Sequence, residues 1–194
     1  MGKSEHTLSK QDTVCTPEAI WGPIVAALGP IGLDPTSHPA STVPAQTQIL
    51  LPDLYWTDPD HEAPPVSEYG DHDVLWGDGL NYSWKGCGLV WGNFPYSLLG
   101  KRKFIWKAQH EADEFAGLFP VRTATQWWQK EIIYSSAITF LETRVTHDNC
   151  YDKKGELTDD PSPFGQALVY CGPRVELWYQ ELGKLGWTVL GAKR

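Results

Sequence analysis

Asn93, Phe94, Pro95 and Tyr96 directly follow the apolar run Gly88 to Gly92. An asparagine at the end of a strand presents an amide carbonyl, and the peptide carbonyl of residue 94 lies close by, so two acceptors converge. Pro95 restricts the backbone and Tyr96 supplies a flat face. Together they suit a planar group that carries an NH2, stacked on the tyrosine with both amino hydrogens accepted. Accepting those hydrogens keeps electron density on the nitrogen and makes it a better nucleophile. The same four residues also read as a tight turn, since Asn and Pro are both turn formers.

Other polar clusters are less organised. Asp58 to Glu62 and Asp71 to Asp73 have the residue types of metal ligands, but both sit in proline-rich polar surroundings without a second cluster at ligand spacing. They read as solvated loops, and no metal is expected. Cys15, Cys87, Cys150 and Cys171 form no C-x-x-C pair, which removes a zinc knuckle or a dithiol redox motif and suits free thiols in a reducing compartment. The net charge of −8 argues against a protein that simply coats nucleic acid. A local basic patch nonetheless stands just beyond the asparagine motif, in Lys101, Arg102, Lys103 and Lys107.

Short elements must hold these groups in place. At 194 residues and 41% apolar, the chain is long enough for one packed domain, expected over 15–194 behind a flexible segment 1–14. Thr16-Pro17-Glu18 reads as a helix start, with Thr16 as N-cap and Pro17 at the first helical position, and Gly22-Pro23 should kink or shorten that helix. Ile31 to Asp34 reads as a short strand ending at Pro35. Residues 35–75 carry seven prolines and read as a long connection with one embedded element near Thr47 to Trp56, irregular over 51–75. Beyond Cys87, strands at 87–91, 116–121, 137–143 and 166–172 alternate with helical patterns at 103–115, 123–133 and 174–185.

Two strands in succession near the end predict an α/β sheet, mostly parallel, with a late antiparallel hairpin and helices on both faces. Ligands bind at the carboxyl ends of strands in such sheets, where Asp34, Asn93 to Tyr96 and Arg122 fall. No secretory signal opens the chain, and the longest apolar stretch, 19–33, is too short and proline-broken to span a membrane, so a soluble cytosolic protein without a membrane partner is expected. The ten tryptophans suit core positions.

Taken in order, Thr16-Pro17, GLDPTSHPASTVPA (32–45), WGDGL (76–80), LVWGNFPYS (89–97), LFPVRTATQWW (118–128) and PFGQALVYCG (163–172) resemble the phage-type DNA N6-adenine methyltransferases of the Dam family, from about residue 15 to 173. The resemblance implies a Rossmann-like class I methyltransferase that uses S-adenosylmethionine. It implies methyl transfer directly to the N6 of an adenine flipped out of double-stranded DNA. By the same resemblance, Asn93, Phe94 (through its carbonyl), Pro95 and Tyr96 would hold the adenine. Thr16 and Pro17 would line the methionine end of the cofactor, Asp34 and Pro35 would match the family's Leu-Asp-Pro block, and Asp78 would meet the cofactor's adenine. Arg122 matches an arginine of the family and would contact a phosphate or brace the pocket. Lys101, Arg102 and Lys103 lie where DNA phosphates would pass. The loop 147–163, with Lys153 and Lys154, and the stretch 51–75 are further places for DNA contact.

A glycine-rich G-x-G loop is missing, with Leu33 to Pro39 in its place, as is common in that family, and the more serious departure is Phe94, which stands where the family usually has proline. The pocket chemistry demands only a planar NH2, so cytosine N4 or a protein glutamine amide would also satisfy it. A catalytically weakened DNA- or partner-binding protein on the same fold is the alternative outside enzymes.

Overall fold

A computed structural model describes residues 14–50, 73–94, 101–148 and 158–192. Helix α1 (Glu18–Leu28) leads into β1 (Ile31–Ser37), and β2 (Ala45–Leu50), β3 (Asp73–Trp76) and β4 (Leu89–Gly92) follow. Then come α2 (Lys101–His110), β5 (Glu114–Pro120), α3 (Gln126–Lys130), β6 (Ala137–Leu141), β7 (Gln166–Cys171), α4 (Val175–Leu182) and β8 (Gly186–Leu190). The eight strands among the described residues form one sheet in the order β3-β2-β1-β4-β5-β7-β6-β8. The pairings from β3 through β5 are parallel, and β7 runs against both of its neighbours, β5 and β6. β8, which the sequence reading stopped short of, adds an antiparallel edge to β6.

Two apolar layers sandwich the sheet. On one face Ile20, Ile24 and Leu28 of α1 and Trp178 and Leu182 of α4 pack with Ile31, Leu89, Trp91 and Leu168. On the other face Phe104, Ile105 and Ala108 of α2 and Trp128 of α3 pack with Leu33, Val90, Phe115 and Val169. Four tryptophans, at 84, 91, 128 and 178, are fully buried, which fits the expectation that this residue type fills the core.

Several local expectations give way to tertiary constraints. α1 starts at Glu18 with Pro17 as N-cap, and Thr16 makes no capping bond. The cause lies upstream: the backbone of Cys15 pairs with Asp148 in both directions, at 2.8 and 3.0 Å, so the chain arrives extended and turns one residue later. The helix runs through Pro23 to Leu28. β1 also runs on through Asp34-Pro35 to Ser37, because its register on β2 shifts between Asp34 and Ser37 and the irregularity accommodates the missing N–H of proline. The stretch expected to be irregular over 51–75 contains the start of β3, while Asp58 to Glu62 and the rest of 51–72 lie outside the described residues.

A second register shift matters more. Ile31 pairs with Leu89 but Leu33 with Val90, so β1 spends two residues where β4 spends one. Ile31 faces the α1 layer and Leu33 the opposite layer, and the bulge therefore moves Asp34 onto the α1 face. Gly32 makes this possible: a Cβ there would stand 1.8 Å from the Cys87 carbonyl oxygen.

Phe94 is a core residue. Its side chain is 2% exposed and lies in an aromatic cluster with Trp84, Phe104, Phe115 and Phe119, its ring centroid 4.3 Å from that of Phe104. Gly92 exists for the same ring, since a Cβ at 92 would come within 2.4 Å of it. Phe94→Ala should cost roughly 3–5 kcal/mol of stability, the usual range for deleting a buried phenylalanine, and Phe94→Pro should cost most of that. Urea unfolding measures both; a midpoint unchanged by either substitution would contradict the packing described.

Candidate functional site

The order of strands reverses between β1 and β4, and an open α/β sheet leaves a crevice outside the carboxyl ends of the two strands at such a point. Here the crevice is lined by Val14, Cys15 and Thr16 from the segment entering α1, Asp34, Thr36, Ser37 and His38 at the end of β1, and Trp91 and Asn93 at the end of β4. Its cavity volume is about 20 Å³, a narrow cleft far below the roughly 300–1,000 Å³ of small-molecule sites. Three of the residues expected from the sequence, Thr16, Asp34 and Asn93, thus converge from three separate parts of the chain.

Each has a defined environment. Asp34 is 4% exposed and accepts a hydrogen bond from the Thr36 N–H at 3.1 Å. Burial pushes its carboxyl up to about 7, against the opposing pull of the hydrogen bonds from the Thr36 N–H and the Ser37 hydroxyl. Thr16 Oγ1 and Thr36 Oγ1 are buried and meet no hydrogen-bond partner among the described residues. Leaving such hydroxyls unmatched costs on the order of 1–3 kcal/mol each, which a ligand with its own polar groups would recover. Asn93 is half-buried, and its Nδ2 donates to the Val14 carbonyl at 3.4 Å. That bond fixes the amide so that Oδ1 is the end available to a donor.

His38, beside them, is held neutral: burial lowers it to about 4, and its Nδ1 accepts the Ala40 N–H at 2.9 Å. Cys15 is also buried, and its thiol is pushed up to about 12 by burial, then by the charges of Asp34 and Asp148, so it is no nucleophile at neutral pH. The arrangement suits a ligand rich in N–H and O–H donors, with a carboxyl, two hydroxyls and an asparagine carbonyl as its counterparts.

Other expected residues lie elsewhere. Asp78 does not line the crevice; its carboxylate caps a single 3-10 turn, Gly79–Asn81, by accepting the Leu80 N–H at 2.9 Å. Pro35 is buried and packs against that turn, where a Cβ on Gly79 would stand 2.0 Å from its carbonyl oxygen. Pro17 does its work as the helix cap. Phe94 sends its side chain into the opposite layer, and Pro95 and Tyr96 lie outside the described residues.

The basic patch divides. Arg102 pairs with Glu131 at 3.3 Å and Lys107 pairs with Glu111, whereas Lys103 is exposed at the start of α2. Arg122 is exposed beyond the carboxyl end of β5 and stacks 5.4 Å from the Phe164 ring. The side chain of Lys101, and Lys153 and Lys154, fall outside the described residues. Among the described residues no group of three acids, histidines or cysteines is placed to hold a metal ion, and no helix is long and apolar enough to cross a membrane.

The sequence reading passed over Thr36, Ser37 and His38, although they sit in the block that carried the resemblance. Only their burial and direction mark them, and neither is visible in a loop of Pro, Thr, Ser and His. Compared with the known protein families and with curated proteins, the chain matches none.

The raised Asp34 carboxyl makes a signed prediction. Between pH 3.8 and about 7 the folded protein holds a proton that the unfolded chain releases, so stability falls as pH rises through that window, by at most about 1.4 kcal/mol per pH unit. Asp34→Asn should remove this slope and, at pH 8, leave the variant more stable than the parent. Urea midpoints at pH 5, 6.5 and 8 check it, and parallel curves for the two proteins would show that Asp34 is already ionised at pH 5.

Proposed function

We propose that the protein is an S-adenosylmethionine-dependent methyltransferase of the Rossmann-like class, and that its acceptor is the N6 amino group of adenine in DNA. The observation that carries this reading is the meeting of Thr16, Asp34 and Asn93 in one crevice at the switch point of the sheet, with the β3-β2-β1-β4-β5 order of a doubly wound nucleotide-binding half. The resemblance of the sequence blocks named these residues independently of any geometry.

The polar groups of the crevice match part of the cofactor's chemistry. The Asp34 carboxyl and the unmatched hydroxyls of Thr16 and Thr36 suit a molecule that carries an ammonium group and ribose hydroxyls. When bound, S-adenosylmethionine supplies a methyl carbon on a positively charged sulfur, open to direct displacement. The chain's own contribution is positioning and polarisation. Asn93 Oδ1, oriented by the Nδ2 bond to Val14, accepts one hydrogen of the acceptor NH2, and the carbonyl of residue 94 serves as the second acceptor. Phe94 leaves that carbonyl in place, and its buried ring supplies the rigidity that proline would give through its fixed φ. Burial of Asp34 and Thr16 keeps water from competing for the same contacts. Lys103 and Arg122, both exposed and both beyond carboxyl ends of central strands, are the cations suited to DNA phosphates.

Nucleoside mass spectrometry of DNA from a host without its own adenine methylase tests the reaction. Cells expressing the protein should accumulate N6-methyladenine, and cells expressing Asn93→Ala should lose it by about 10²–10³-fold, the usual loss for one polarising hydrogen-bond group, with cofactor affinity largely kept. N4-methylcytosine or a methylated glutamine in place of the adenine product would move the acceptor, and loss of cofactor binding in Asn93→Ala would make that residue structural. Lys103→Ala and Arg122→Ala should each weaken DNA binding and flatten its salt dependence by about one unit of slope, and Arg102→Ala, whose charge is paired, should do so least. Salt titrations of a fluorescent duplex read this out.

A further inference from the structure

His147 lies beyond β6, far in sequence from the crevice, and is 7% exposed. Its Nδ1 lies 3.2 Å from the Cys15 carbonyl oxygen, and its Nε2 lies 2.9 Å from the side-chain Nε2 of Gln166 at the start of β7. A carbonyl only accepts, so Nδ1 carries the proton, and Nε2 accepts from the Gln166 amide. Burial lowers the imidazole from its ordinary value, in keeping with this neutral form, against the opposing effects of the Cys15 bond and the Asp148 charge. The next residue, Asp148, exchanges both backbone bonds with Cys15. One short piece of chain therefore holds Cys15 by three hydrogen bonds, while the residues on either side serve the crevice: the Val14 carbonyl receives Asn93 Nδ2, and Thr16 lines it.

We propose that His147 is a positioning residue of this site, which anchors the segment Val14–Thr16 against β7 and thereby sets the orientation of the Asn93 amide and of the Thr16 hydroxyl. The role in methyl transfer rests on the function proposed above; the anchoring does not. Val14 is the only fixed point of the Asn93 amide among the described residues, so drift of the segment would free that amide to rotate. A further consequence is that the connection between β6 and β7 reaches the crevice through a side chain that never touches a ligand.

Two amide substitutions separate this role from simple core filling. In His147→Asn the side-chain NH2 falls near the place of Nδ1 and keeps the Cys15 bond. In His147→Gln the amide falls near the place of Nε2 and keeps only the Gln166 partner. Hydrogen exchange on the full chain without cofactor, at one pH, reads the Cys15 and Asp148 amides, and calorimetry with S-adenosylmethionine reads the site. His147→Asn should hold protection and affinity within about threefold of the parent, and His147→Gln should lose at least tenfold in both.

Equal protection in the two variants, or a larger loss in His147→Asn, would overturn the anchor. Normal cofactor affinity in His147→Gln despite lost protection would overturn its connection to the site. If protection follows the expected order and S-adenosylmethionine binds none of the proteins, the parent included, the anchor stands and the methyl-transfer reading falls.

Discussion

The close approach of Gly32 to the Cys87 carbonyl sets the phase of β1 against β4, and the rest of the site depends on that phase. A regular strand continuing from Ile31 on the α1 face would carry Asp34 on the opposite face, under the aromatic layer of α2, where an ionisable carboxyl would meet only rings. The extra residue in β1 turns Asp34 toward the layer that α1 covers, beside Trp91 and Asn93. The chain thus builds a polar crevice at the seam of two apolar layers by displacing one backbone step.

Around that seam, polar groups and packing groups alternate along single strands. In β4 and its continuation, Trp91 and Asn93 face the crevice while Val90 and Phe94 face the opposite core. A buried ring on one side of the backbone steadies an amide on the other, which matters because the amide must keep its orientation without a dense network of partners. The amino-terminal segment completes the wall from outside the sheet, tied by its backbone to Asp148 and by its Cys15 carbonyl to His147.

Much of this was legible in the sequence. The apolar runs that became β4 to β7 and the helical stripe of α4 are period signals, and period survives tertiary context well, whereas the stripe read over 103–115 is helical only to His110 because Phe115 belongs to β5. Asn93, Asp34 and Thr16 were reached from motif chemistry and order. What escaped was phase and direction. The bulge at Gly32 has no periodic signature, so the face on which Asp34 falls could not be read. Thr16 has the composition of a helix cap, and only the pairing of Cys15 with Asp148 explains why it is not one. Phe94 looked like a change within a pocket because a motif suggests that all its side chains point one way, whereas a strand sends alternate ones apart. β8 was hidden because its exposed positions, Trp187 and Leu190, are themselves apolar, so the strand shows no apolar–polar alternation.

The fit of Phe94 against Gly92 joins two properties that are separable in most binding sites. A substitution at 94 alters the volume of the core, and a substitution at 92 meets the same ring, so neither position is free to vary alone. Lineages carrying this pair would therefore change both residues together or neither. The backbone carbonyl of residue 94, which the proposed function uses as its second acceptor, would then be inherited as part of the hydrophobic core, sheltered from the drift that reshapes exposed binding loops.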